Sequence, residues 1–171
     1  RSTKNKDSAS TSSARTGWRK WELLRVWQPL PIGPPMRNLS DILDEYEFLD
    51  SDERYRLLIE LGRALEPMPD ALKTDATMVR GCSASVWVYP VASGVDRLHF
   101  LADSNAAITK GIVALVIAAV QDRPAAEVAT TDIAALLEPF DLKNQLSSNR
   151  TQGVPNMIAL IRETAARIAA E

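Results

Sequence analysis

In 171 residues the chain has one cysteine, Cys82, and one histidine, His99. A single thiol excludes an intramolecular disulfide and any cysteine-built zinc site, since both need further thiolates. A single imidazole excludes two-histidine metal sites and most two-histidine mechanisms. A Cys-x-x-Cys redox centre is absent, because Ser85 stands where the second thiol would be. Long apolar runs are lacking too. The longest, Gly111 to Val120, stops at Gln121, Asp122 and Arg123, well short of the roughly 20 apolar residues that a membrane-crossing helix needs. It reads as a buried core helix, and no membrane is expected as a partner. No charged start, apolar segment and small-residue cleavage site marks a secretory signal. The formal net charge is only −2, which argues against nucleic acid as a partner.

Hydrophobic residues make up 46% of the chain and charged residues 25%, near soluble globular averages and enough for one core. The charge is unevenly spread. Residues 1–35 hold seven basic against two acidic side chains, a net of +5, which leaves −7 for the rest. Residues 1–16 are rich in Ser, Thr and Lys and hold almost no large apolar side chains, so disorder is expected there. Three of the four tryptophans follow, at Trp18, Trp21 and Trp27, at a spacing that suits a short helix from Trp18 to Val26. Pro29, Pro31, Pro34 and Pro35 would end it. Residues 1–35 read as a disordered or non-native basic tail, an expression scar or translated upstream sequence. The alternatives are a basic surface-binding arm or an organelle transit peptide.

Residues 36–171 read as one domain. Ile42, Leu43, Tyr46 and Leu49 share a helical face, with Ser40 as the expected N-cap. A second helix follows with Ser51 as its expected cap, carries Tyr55, Leu58, Ile59 and Leu65 on one face, and ends before Pro67. The tight link predicts an antiparallel pair. Ser85 to Ala92 and Arg97 to Asp103 predict a β-hairpin turning at Ser93–Asp96, with Thr77–Val79 as a short third strand. The core helix follows, capped by Asp103 or Ser104 and ended before Pro124. Two or three short helical pieces come next. A last helix starts between Arg150 and Pro155, with Met157, Ile158, Ile161, Ala165 and Ile168 facing inward. Strands and helices are segregated, which predicts an α+β fold: a small antiparallel sheet packed against several helices.

Chemistry centres on Cys82. Free cysteine is often a buried small hydrophobe, but this one follows Gly81 at the mouth of a strand, with Arg80 two residues before it as a cation that would favour thiolate. Both readings stand at this point. A cysteine protease needs a histidine base, and His99, on a hairpin strand, reads as a surface or edge residue. An iron–sulfur cluster takes several protein thiolates. What remains is one thiol that exchanges with a partner, as a redox sensor or as carrier of a transferred atom.

Four segments then carry a resemblance, in order: "RYRLLIELGRAL" with the following "PMPDALKTDATMVRGC"; "RGCSASVWV"; "ADSNAAITKGIVALV"; and "LSSNRTQGVPNMIALIR". Residues 36–171 resemble the SufE/CsdE family of sulfur-acceptor proteins. The resemblance implies that Cys82 accepts persulfide sulfur from a cysteine desulfurase, a SufS/CsdA-like enzyme that uses pyridoxal phosphate. It implies that the protein stimulates that enzyme and passes sulfur toward an iron–sulfur scaffold and cluster assembly. No cofactor of its own is implied, and the protein reads as a sulfur-transfer partner, not a free-standing enzyme. It also implies a cysteine loop packed over an apolar pocket that swings out on docking. A cytoplasmic location is expected, or an organellar one if residues 1–35 are a transit peptide. Arg150, in the family's Arg-x-x-Gly pattern, is the second site residue: it either pairs with a carboxylate such as Asp103 or lies near the thiol. Asp103 reads most simply as a helix cap and Trp87 as core. The chain departs from the family pattern at Ala84, Ala102 and Asn105, which bears on loop hydrogen bonding and partner fit. The second reading is a regulatory thiol adaptor that binds the desulfurase without carrying sulfur. A cluster scaffold of related fold is disfavoured by the single cysteine.

Overall fold

The structure, a computed structural model, describes residues 36–93 and 97–171. The expectations for residues 1–35 and for the hairpin tip at Gly94–Asp96 lie outside the described residues. Helix α1 (Leu39–Phe48) starts one residue before Ser40, and Asn38 caps it by accepting the Ser40 N–H at 3.0 Å. Helix α2 (Ser51–Arg63) is capped by Asp50, not Ser51, through a capping box in which Asp50 accepts the Glu53 N–H and Glu53 accepts the Asp50 N–H. In both cases an amide or carboxylate just upstream reaches the first-turn N–H groups. Helix α1 packs on the 3-10 turn Glu138–Phe140, where Tyr46 and Phe140 meet edge to face at 5.0 Å, and not along α2 as the short link suggested.

Strands β1 (Val86–Ala92) and β2 (Arg97–Ser104) pair antiparallel, with Val86 opposite Ser104 and Ala92 opposite Leu98. Alternation sends Val86, Val88, Leu98, Phe100 and Ala102 into the core. Trp87, expected in the core, is only half-buried and belongs to the other face, opposite Asp103. The third strand is β3 (Arg123–Pro124) beside β2. Thr77–Val79 instead makes a single bridge outside β1, from Met78 to Trp87.

Helix α3 (Ala107–Ala118) is the buried axis of the molecule, with Val113, Leu115, Val116 and Ile117 sealed from solvent. It crosses α2 with backbones nearly touching. A Cβ on Gly111 would collide with the Leu58 carbonyl oxygen, and one on Gly62 would lie 2.8 Å from the Gly111 nitrogen. This contact sets the buried face of α2 at Leu57, Leu58, Leu61 and Gly62 and turns Tyr55, expected inside, outward. Beyond β3 come four short helices where two or three were expected: α4 (Ala125–Thr130), α5 (Ile133–Leu137), α6 (Leu142–Gln145) and α7 (Ser148–Thr151). Helix α8 (Val154–Ala169) buries Met157, Ile161 and Ala165. The described residues thus form an α+β fold with one three-stranded antiparallel sheet. Among them no helix is long and apolar enough to cross a membrane.

Candidate functional site

Cys82 sits in the loop Arg80–Ala84, whose two ends are tied to the hairpin. At one end the Val79 N–H donates to Val86 O at 2.8 Å. At the other, the Ser85 N–H donates to Asn105 Oδ1 at 3.0 Å, and the Asn105 N–H returns to Ser85 O at 3.3 Å. The departure at Asn105 therefore leaves a loop hydrogen bond in place, since an amide oxygen accepts the Ser85 N–H. Gly81 takes φ +81°, a conformation that side chains resist.

The thiol lies half-buried against Gly153, the residue just before α8. A Cβ on Gly153 would fall on Cys82 Sγ and lie 3.0 Å from Cys82 Cβ. A small pocket opens beside the sulfur, lined among others by Ile112, Arg150, Val154 and Met157, with free space for about one water-sized atom. Burial pushes the Cys82 thiol up, disfavouring thiolate. The expected help from Arg80 is not found: its side chain is exposed, and its backbone carbonyl is what the site uses, accepting from Asn156 Nδ2 at 2.9 Å. Ser83 Oγ donates to the Asn149 carbonyl on α7, a second tie between loop and helix.

Arg150 belongs to α7, before the start of α8, and shares the pocket with Cys82. Its guanidinium stands 5.6 Å from the Tyr55 ring centre and donates to Tyr55 Oη at 3.3 Å. It does not pair with Asp103. That carboxylate holds Lys73 and Lys110, each at 2.8 Å. Burial works to raise Asp103, but the hydrogen bonds from Lys110, Lys73 and the Ser104 N–H outweigh it and hold the carboxyl below its usual range. Asp103 is no helix cap either: it lies in β2, and α3 begins after Ala106 without a side-chain cap. Its carboxylate ties the Asp70–Leu72 turn region, through Lys73, to α3 through Lys110.

His99 stands five residue pairs along the hairpin from the Val86–Ser104 end beside the cysteine loop, roughly 17 Å of strand away. It is not an open edge residue. Its Nε2 is 2.6 Å from Glu66 and its Nδ1 2.9 Å from Asp122, so it cannot serve Cys82 as a base. Among the described residues no group of three or more His, Cys, Asp or Glu could hold a metal ion.

Sequence reasoning placed Cys82 and Arg150, and the structure brings both to one pocket. It missed Gly153 and Asn156. Gly153 was visible only as the end of a motif, and nothing local distinguishes a glycine that seats a distant sulfur from one that starts a helix.

The family profile described as "SufE: Fe-S metabolism associated domain" matches residues 40–165. The chain is 38% identical over 120 residues to the sulfur acceptor protein CsdE of Escherichia coli, covering 70% of this chain and 78% of that protein. It is 37% identical over 134 residues to a SufE-like protein of Rhizobium etli, covering 76% and 90% respectively. It is also 29% identical over 114 residues to the cysteine desulfuration protein SufE of Wigglesworthia glossinidia brevipalpis, covering 67% and 79%. The solution structure of a hypothetical protein from Thermus thermophilus shares the fold, with a TM-score of 0.64 at 15% identity over 82% of this chain and all of that one.

Proposed function

The chain belongs to the SufE family, and on that premise we propose that it accepts sulfane sulfur on Cys82 from a cysteine desulfurase and passes it toward iron–sulfur cluster assembly. The observation that carries this is the seat of the thiol: the one sulfur nucleophile in the chain rests on bare Gly153, beside free space for about one atom. The names of the relatives, a sulfur acceptor and a cysteine desulfuration protein, point the same way.

The chemistry balances without a cofactor from this chain. The desulfurase, with its pyridoxal phosphate, carries a persulfide on its own cysteine. The Cys82 thiolate attacks the outer sulfur. A new S–S bond forms on Cys82 as the enzyme's S–S bond breaks, and the enzyme's cysteine leaves as thiolate. This is displacement of the thiol–disulfide type, with no net oxidation, and its rate follows the thiolate fraction and access of the attacking sulfur. In the closed loop burial disfavours the Cys82 thiolate, so attack is favoured when the loop leaves Gly153. Once back in place, the outer sulfur would fill the space beside Ile112, Val154 and Met157, away from water and oxidants. The protein then acts as a sulfur-transfer partner and not as a free-standing enzyme.

Removing the nucleophile tests this reading. With a cysteine desulfurase under multiple turnover, the native protein should raise the rate of alanine formation from cysteine. Cys82→Ser should abolish the stimulation while still binding. Stimulation that survives in Cys82→Ser would replace the acceptor with the regulatory thiol adaptor.

A further inference from the structure

The loop and the start of α8 interlock through two glycines. At Gly81 a Cβ would collide with Asn156 Nδ2, and at Gly153 a Cβ would collide with Cys82 Sγ. Each segment omits a side chain where the other inserts one. Asn156 fills the first notch and also donates to Arg80 O. Cys82 fills the second.

Both ends of the loop stay with the hairpin, through Val79–Val86 and Ser85–Asn105. Only the piece between them, Arg80–Ala84, is held by the helices. Its polar ties there are two side-chain-to-carbonyl hydrogen bonds at exposed positions, Asn156 to Arg80 and Ser83 to Asn149. We infer that this interlock is the latch on the thiol, with Asn156 as its positioning residue, and that it sets the fraction of time Cys82 faces solvent. The purpose assigned to the latch rests on the acceptor reading, but its test does not. An exposed tie of this kind shifts a closed–open balance by about two- to twelvefold. A tie of that size biases the loop toward the closed arrangement yet yields to the contacts of a docking partner.

The test uses the full chain and a small aromatic disulfide as probe. The Cys82 thiolate attacks the probe, forms a mixed disulfide and releases one coloured thiolate. If only the open loop reacts, loosening the latch speeds the reaction at fixed pH and lowers the midpoint of its pH profile together. Asn156→Ala should react about fivefold faster, with a midpoint about 0.7 pH unit lower. Ser83→Ala should move both readouts the same way. Both side chains are exposed, so each variant should keep a cooperative melt within a few degrees of native. Native rates and midpoints in both variants would overturn the latch, as would a faster rate with an unmoved midpoint. Failure here leaves sulfur transfer to Cys82 standing, and failure of sulfur transfer leaves the latch standing, because the probe replaces the desulfurase.

Discussion

At the scale of the residue, the two readings of a lone cysteine describe one arrangement. Cys82 packs against the hydrophobic core as a small apolar group would, and it is also the chain's one sulfur nucleophile. Burial is what reconciles them, because it disfavours the thiolate while the sulfur is seated. Alkylation by iodoacetamide as a function of pH should therefore show a midpoint above the usual cysteine value of about 8.5. A midpoint at or below that value would mean the thiol is not held in its seat. The raised value also carries a sign for folding: whatever the neutral seated thiol contributes is present below the ordinary cysteine value and is lost as pH rises through the raised one. Cys82 stands out in the sequence because it is unique, and Arg150 and Gly153 because they open and close one motif. The contacts of Gly153 and Asn156 with the cysteine loop were not legible, since they depend on a segment some 70 residues earlier, and only packing brings the two together.

At the scale of the element, two connections are pinned to β2 by one imidazole. His99 on β2 reaches Glu66 beyond the end of α2 and Asp122 between α3 and β3. Gln121 holds both backbone groups of Phe100, while Arg97 holds the Asp122 carbonyl. Desolvation works to lower the His99 value, but hydrogen bonds to Asp122 and Glu66 outweigh it, so the imidazole is raised. Its contribution to stability is then fully present below the ordinary histidine value of about 6.5 and fades as pH rises through the raised value. The melting temperature of His99→Gln should fall furthest below native in mildly acidic buffer, with the gap closing as pH rises above 7. A gap independent of pH would show that the ring acts only by packing. Elements were legible where the pattern is strong, as in the unbroken apolar run of α3 and the alternation of the hairpin. Caps slipped by one or two residues, because Asn38 and Asp50 stand just upstream of equally suitable serines. The expected face of α2 was half right: Leu58 and Leu65 are buried, but Tyr55 is exposed and Ile59 only half-buried, because the Gly62–Gly111 crossing turns Leu57 and Leu61 inward.

At the scale of the whole molecule, the α+β architecture followed from the order of helices, hairpin and helices. That order survives even though the 125–151 stretch breaks into more pieces than expected. There, Pro139 and the left-handed Asp141 interrupt the chain at intervals too short for periodicity to register. The architecture explains why one loop is enough for the proposed chemistry. The hairpin fixes both ends of the loop, while α3 and α8 supply the pocket beside the sulfur. Everything then turns on whether sulfur arrives at Cys82. The direct measurement is the intact mass under non-reducing conditions after incubation with a cysteine desulfurase, cysteine and pyridoxal phosphate. The native protein should gain the mass of one sulfur, lost on reduction and absent in Cys82→Ser. A native chain that gains nothing while the desulfurase itself becomes persulfurated would contradict the account.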